Sequence, residues 1–469
     1  LRSIPGVGSS IPPFRYVSSW RMFRNAPSVL RQGCTAHRIF RVPMWSRWLV
    51  VVSGVNMNEE LRKMPEEVMS AREASKDVIN ARYTIGHKYV NKSLEIPVIR
   101  GPLTRSIGIM IPSLFEEIQL TFAEMLGTKN EWIEIMVLPV LTQITSRVIN
   151  RAIVGVPYCE DTKYQHLVTN YANDTMKSKL ILDMIPVALH RWIGPCLPWM
   201  PKARRLLADY LNDEIDQRNK RLDSGYSEAE WASTPDDVLM WLMKESRKCG
   251  LTVDYVIQGV LSINFAAIHT SSMSIVHSLL YIATDPDSTR ILRNEIAGIV
   301  SQEGWSQSAL DKIDSFMRES DRMNGPSLVS MFRKTMSAVT MSDGTVIPPG
   351  LIVTASTAAT HYDERLYEEP YLFKPFRFYE RRQNPEEACK HQYHSTSAEF
   401  ITFGHGRGAC SGRFFAAYVI KLLLACILHN YDVTISGTDS RPKNQFIGTV
   451  IMPSSSAKIL IRKRDDFVA

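Results

Sequence analysis

The sequence predicts a mainly α fold with small β-sheets, forming one large domain behind a basic N-terminal segment. Three observations lead there. Helical periodicity and capping signals fill most of residues 59–324. Strand-like pieces come late and short, first between 328 and 356 and again in the tail. Apolar residues make up 45% and charged residues 22%, which excludes disorder and a collagen-like fibre. Although 469 residues would allow about three domains at ~150 residues each, no internal repeat or low-complexity tract divides the chain.

The expected boundary lies at 50/51. Residues 1–50 hold eight arginines and no acid, whereas residues 51–469 carry 47 basic and 48 acidic groups. Residues 3–13, rich in Pro, Gly and Ser, read as a hinge. Arginines interleaved with Trp20, Phe23, Phe40, Trp45 and Trp48 suit a membrane surface. A solvated start of an ordinary fold and an organelle transit peptide share that composition. Nucleic-acid binding is not expected, because no basic stripe continues into the body. No run of ~18 uninterrupted apolar residues suggests a spanning helix. The chain begins at Leu1, so an anchor helix is expected to be absent from this sequence. The seven scattered cysteines form no disulfide framework and fit a reducing compartment.

Helices are expected at 59–82, 113–127, 131–153, 161–177, 202–222, 235–249, 253–283 and 307–324. The segment 253–283 is long and apolar, but Asn264, His269, Thr270, Ser271 and Ser272 interrupt its middle. A membrane span tolerates such a cluster poorly; a buried helix with a polar step facing a cavity suits it. Strands follow at 328–333, 336–341, 345–348 and 351–356. A turn-rich stretch then leads to a Gly-rich loop, a helix over 411–428 and a strand-rich tail.

The loop Phe403–Gly412 concentrates the chemistry. Gly404, Gly406 and Ala409 match a dinucleotide fingerprint, but too little chain follows for a second β-α-β unit. Cys389, His391, His394, His405 and Cys410 are zinc-ligand types without a C-x-x-C pair. A plain Gly-rich loop around a buried cysteine is a third reading. The fourth is a thiolate ligand to haem iron. A cysteine at a helix N-terminus faces unpaired N–H groups that stabilise its anion. Gly406 and Gly412 would let the backbone pass close to a flat macrocycle, and Phe403 would shield the sulfur.

The stretch Phe403–Gly412, continuing Arg413-Phe414-Phe415-Ala416, resembles the haem-binding loop of cytochrome P450 monooxygenases, fungal members especially. One position departs. Two residues before the cysteine the family has Arg or His, which contacts a haem propionate; here stands Gly408, with Arg407 beside it as the nearest substitute. Glu319-Ser320-Asp321-Arg322 resembles the family's E-x-x-R pair, and Phe373-Lys374-Pro375-Phe376-Arg377-Phe378 the segment whose arginine joins it. Glu319, Arg322 and Arg377 would then form a buried structural network. Ala266-Ala267-Ile268-His269-Thr270-Ser271 resembles the oxygen-binding segment, with His269 in place of the usual acid. Thr270 would pass protons to the oxygen being reduced. His269 would share that relay or pack as a core histidine. Arg333 would bind one haem propionate, and Arg105 is a candidate for the other, a surface arginine being the alternative.

The resemblance spans the chain from hinge to tail. It implies a cytochrome P450-like single large domain enclosing haem b, with Cys410 as the axial metal ligand. The activity implied is insertion of one atom of O₂ into a lipophilic substrate, a terpenoid or other fungal secondary metabolite. Electrons would come from NADPH through NADPH-cytochrome P450 reductase, with cytochrome b5 a second donor. Arg407, Arg413 and Lys421 would face that partner. The implied location is the cytosolic face of the endoplasmic reticulum membrane. An O₂-independent isomerase or dehydratase, and a non-catalytic haem binder, are the alternatives.

Overall fold

The fold is organised around one helix, Val253–Ile282, whose side chains are buried along most of its length. A computed structural model describes residues 3–9, 11, 14–223, 236–303, 305, 310–437 and 440–465. Helices Val137–Ile153, Thr162–Met184, Trp199–Asp223, Asp311–Asn324 and Arg413–Asn430 all pack on this central helix. Polar links fix their register: Asn150 donates to Asn264 Oδ1 at 2.8 Å and accepts from the Tyr164 hydroxyl at 2.9 Å. By length and composition the central helix and Arg413–Asn430 could each cross a membrane. Within their apolar windows, however, 61% and 72% of residues are buried, so the protein's own interior covers them.

The main sheet has the order β1 (Ile39–Pro43), β2 (Trp48–Val52), β8 (Ile352–Ser356), β5 (Val329–Thr335), β3 (Met69–Ser70). Only the β2–β8 pairing is parallel. β4 (Ile133–Met136), β12 (Lys458–Lys463) and β9 (Tyr431–Ile435) form a second sheet, while β6 (Val339–Thr340) pairs with β7 (Val346–Ile347) and β10 (Gln445–Ile447) with β11 (Val450–Met452).

Several expected elements differ. The helix expected over 59–82 is two helices, Val55–Lys63 and Ala71–Val78, with Pro65 and β3 between them. Proline lacks the N–H and crowds the preceding turn, so it splits the apolar pattern. The 131–153 helix starts only at Val137, because residues 133–136 pair with β12. The helix expected at 113 begins at Thr104 and continues through Pro112. Helix Pro286–Glu303 was absent from the sequence expectation; Asp285-Pro286 opens it as well as ending its predecessor. Residues 306–309, at the start of the expected 307–324 helix, and Pro235 lie outside the described residues.

The 50/51 boundary falls inside β2. Residues 14–52 form helices Phe14–Arg24 and Ala26–Ala36 and the β1–β2 hairpin, which joins the main sheet through β8. Part of the basic charge has internal work. Arg15 and Arg41 stack on Trp48 at 5.1 and 4.5 Å, and Arg47 donates to the Asp77 carbonyl at 2.9 Å.

Candidate active site

Ala266 and Thr270 are exposed at the middle of the otherwise buried central helix, and Ser262, one turn earlier, is half-buried. Four-residue spacing puts all three on one stripe. Cys410 is also exposed to open space, yet burial among surrounding protein pushes its thiol up. Helix Arg413–Asn430, which follows the Cys410 loop directly, packs on the central helix. The open stripe and the open sulfur therefore lie on elements that pack against one another.

The loop is closed by the Cys410 N–H, which donates to the Phe403 carbonyl at 2.8 Å, and by Arg413, which donates to the Cys410 carbonyl at 3.0 Å. Against the burial of the thiol stand the Gly412 and Arg413 N–H groups and the Arg413 charge, all of which favour the anion. Phe403 is fixed edge-on against Tyr393, at 5.3 Å. Gly404 and Gly406 have φ of 72° and 73°, a region that side chains disfavour. Gly406 needs its bareness for a reason other than the expected one: a Cβ there would lie 2.5 Å from Cγ of Arg62, on the helix Val55–Lys63.

Behind the loop lies the ion network. Glu319 and Arg322 are fully buried and joined by two bonds of 2.8 Å. Arg377 adds a bond of 3.1 Å to the same carboxylate, and the Lys374 N–H another at 3.1 Å. Arg322 also donates to the carbonyls of His361 and Pro370. His361 carries this order into the loop: Nδ1 donates to the Arg322 carbonyl at 3.0 Å, and Nε2 accepts from the Ile401 N–H at 3.1 Å. Burial pushes its imidazole down to about 3, so it is neutral.

The sequence profile of the Cytochrome P450 family matches residues 22–461. The chain belongs to the cytochrome P450 family. Cytochrome P450 monooxygenase 71 of Postia placenta is 43% identical over the whole chain and 94% of that protein. Cytochrome P450 monooxygenase CYP512U6 of Ganoderma lucidum is 31% identical, over 99% of this chain and 92% of its own. Among solved structures, retinoic acid bound cyanobacterial CYP120A1 superposes with a TM-score of 0.74 at 18% identity, covering 98% of this chain and 99% of its own. The protein is a cytochrome P450 monooxygenase, a haem-thiolate enzyme fed by a redox partner.

The residues present fit a haem. Cys410 offers an exposed sulfur on the loop that precedes helix Arg413–Asn430, and that helix packs on the central helix with its exposed stripe of small side chains. Arg333 is 4% exposed, and its one hydrogen bond among the described residues runs from Nη1 to the Phe332 carbonyl at 2.9 Å. Among the described residues no carboxylate pairs with it, and Glu66 acts on it only at longer range, so an anion from outside the chain suits the site, which a haem propionate would supply. Arg105 is exposed, with its guanidinium 3.8 Å from where a Cβ of Gly101 would stand. Arg407 is exposed as well, so neither it nor Arg105 shares the enclosure of Arg333.

Lys421 is withdrawn from the surface by an ion pair with Asp314 at 2.5 Å, so it does not face a partner as expected. Arg100, not anticipated from the sequence, reaches Ser411 at 3.2 Å and the Arg407 carbonyl at 3.4 Å. Among the described residues no three His, Cys, Asp or Glu could hold a metal together, which removes the zinc reading. The Thr270 hydroxyl donates to the Ala266 carbonyl at 2.6 Å, leaving its oxygen as an acceptor on the cavity side. Burial holds His269 below the ordinary histidine range, against a backbone bond to Thr169, and its Nε2 is buried without a partner. A polar cluster escaped the sequence reading: Gln258 donates to Tyr171 at 3.0 Å and Ser262 at 3.2 Å, and accepts from Arg204 at 3.2 Å. Stepping back by fours from Thr270 through Ala266 would have found Ser262 and Gln258.

Proposed function

We propose that the enzyme hydroxylates a lipophilic substrate of the terpenoid or related secondary-metabolite type, using electrons from NADPH delivered by cytochrome P450 reductase. Overall, R–H, O₂, two electrons and two protons give R–OH and water. The observation that carries the reading is the stripe of Ser262, Ala266 and Thr270, small side chains on a buried helix that leave room for a bulky apolar molecule. The haem, when bound, supplies oxygen activation. Thr270 accepts a hydrogen bond on the cavity side and so holds a proton donor near the reacting oxygen. His269, neutral and with one unpartnered nitrogen, joins the relay through water. Ser262 accepts from Gln258, and its own proton is available to a substrate oxygen. Cytochrome b5 is the second candidate electron donor. Arg100, Arg407 and Arg413 border the Cys410 loop, where an acidic partner surface would dock.

The N-terminal segment is assigned to a bilayer on the cytosolic face of the endoplasmic reticulum. Ile11, Phe14, Val17 and Trp20 are each more than half exposed, as are Met184, Val187 and Trp192. The two groups are connected: Trp20 packs on Trp45 at 6.2 Å, and Arg47 reaches Asp183 at 3.7 Å. Binding spectra against a terpenoid panel, followed by reconstitution with reductase, NADPH and isotopically labelled O₂, test the reaction. One labelled oxygen in the product is expected. Product formed without NADPH consumption would support an isomerase instead, and absence of turnover with every bound ligand a non-catalytic haem binder.

A further inference from the structure

The exposed stripe of helix Val253–Ile282 carries two hydroxyls that are used differently. Thr270 spends its proton on the Ala266 carbonyl one turn back, at 2.6 Å, the usual partner of a serine or threonine inside a helix. Ser262 does not. Among the described residues its Oγ makes one hydrogen bond, and there it is the acceptor, 3.2 Å from the side-chain nitrogen of Gln258. The serine is half-buried, and among the described residues its own proton has no acceptor.

The direction of that bond is fixed from outside the helix. Arg204, on Trp199–Asp223, donates through Nη1 to the Gln258 side-chain oxygen at 3.2 Å and to the Ile85 carbonyl at 2.8 Å. A guanidinium has donors only, so the amide must turn its oxygen to Arg204 and its NH₂ the other way. There the NH₂ meets Ser262 and, at 3.0 Å, the hydroxyl of Tyr171 on Thr162–Met184. Gln258 and Tyr171 are 3% and 1% exposed, so neither can turn towards water. Three helices thus hold a one-way chain from Arg204 through Gln258 to Ser262, and each donor in such a chain strengthens the next. The charge at its inner end is offset. Arg204 is committed to two oxygens, and Glu95, on the helix Glu95–Val98 that packs on the central helix, acts on Tyr171. What fits the Ser262 proton is therefore a neutral oxygen acceptor, not a free anion.

We infer that Ser262 donates a hydrogen bond to an oxygen already present on the substrate, and that Gln258 and Arg204 are positioning residues that keep its hydroxyl turned outward. Ser262 stands eight residues before Thr270, roughly 12 Å along the helix axis. That oxygen therefore lies towards the opposite end of the molecule from the carbon being oxidised. The substrate is a terpenoid alcohol, ketone or related oxygenated skeleton, not a bare hydrocarbon. A reaction that installs oxygen, an earlier hydroxylation or a cyclisation closed by water, must come before this one. The inference rests on the lipophilic-substrate reading and narrows it.

The test compares matched ligands, cedrol with cedrane and cholestanol with cholestane, by spectral titration of the holoenzyme. The ratio of the two dissociation constants within a pair removes general hydrophobicity. That ratio should shift ~3–10-fold towards the hydrocarbon in Ser262→Ala, the scale of one hydrogen bond, and stay within about twofold of the parent in Ser262→Thr. Gln258→Glu leaves Ser262 in place but offers it an acceptor, so the hydroxyl turns inward. It should shift the ratio as Ser262→Ala does, and the double variant should shift it no further. A purely structural role would weaken both members of a pair alike and leave the ratio unmoved. An unchanged ratio in Ser262→Ala, or a Gln258→Glu shift that adds to it, would overturn the inference and leave the terpenoid reading standing. Binding of neither member of either pair to the parent enzyme would overturn both.

Discussion

Glu319→Gln is the sharpest test of how the Cys410 loop is held. The Glu319 carboxylate is fully buried and accepts four hydrogen bonds, two from Arg322 at 2.8 Å, one from Arg377 and one from the Lys374 N–H at 3.1 Å each. The amide keeps the shape but removes the charge and replaces one acceptor by a donor facing a guanidinium. Two buried arginines then lack an anion. Breaking a buried pair from one side costs about 3–5 kcal/mol. With an unfolding entropy of ~2.1 cal/mol/K per residue over 469 residues, each kcal/mol lowers the melting temperature by about 1 °C. The expected fall is therefore ~3–5 °C by circular dichroism. Haem should be lost over the same range, since His361 links the Arg322 carbonyl to the Ile401 N–H at the foot of the loop. Arg377→Gln should cost less, because Arg322 still neutralises Glu319. The double variant should lose less than the sum of the singles. A fall below 1 °C for Glu319→Gln, or strict additivity, would refute the view that this network is one electrostatic unit.

Other expectations follow from the same geometry. Cys410→Ser should abolish the thiolate-specific Soret band of the reduced carbon monoxide complex; a persisting band would remove the axial assignment. Thr270→Ala should retain haem and substrate but lower product per NADPH ~10–100-fold, the excess appearing as hydrogen peroxide. His269→Ala should lower coupling less if it shares the relay, and lower only the melting temperature if it is a core residue. Deleting residues 1–24 or replacing Val17 and Trp20 by serine should reduce liposome flotation; unchanged flotation would end the membrane assignment. Burial raises Asp321 from 3.8 to about 6, while its Oδ2 accepts from Tyr393 at 2.6 Å and Ser274 at 3.3 Å. The folded state thus holds this proton more tightly, so the group favours the fold at low pH and opposes it as pH rises through 6. Asp321→Asn should raise the melting temperature near neutral pH, by an amount of order 3 kcal/mol in stability, and the gain should vanish near pH 4.

The features most legible in the sequence were those whose physics is local. Cys410 at a helix start, Glu319 and Arg322 one turn apart, and Thr270 at a polar step in an apolar helix all follow from spacing along one element. The network was also foreseen with its third member, Arg377, because three partners in one motif set constrain one another. What escaped depends on chain segments far apart. Nothing near residue 62 indicates that Arg62 packs on Gly406, and nothing near residue 408 indicates that the Arg333 guanidinium packs beside it. Lys421 looked like a surface cation because Asp314, on a different helix, is distant in sequence. The N-terminal fifty residues looked separable because composition records charge, whereas the β2–β8 pairing that binds them to the fold is made with residues 352–355.

The same contrast explains why the loop can be rigid without a rigid sequence. Six of its ten residues are glycine, alanine or serine, so its order must come from outside. The described hydrogen bonds supply it at the N-terminal side. The Ile401 N–H is held by His361, the Ile401 carbonyl accepts from Ser330 at 2.6 Å, and Arg318 fixes the carbonyls of Gln392 and Ser395 at 2.6 and 2.7 Å. Arg318 and His361 start from the ion-pair helix and its neighbour, Ser330 from β5. The strand that carries Arg333 therefore also pins the backbone leading to Cys410. Any change that shifts β5 must move Arg333 and the Cys410 loop together, whereas a change confined to Thr270 or His269 on the central helix leaves both in place.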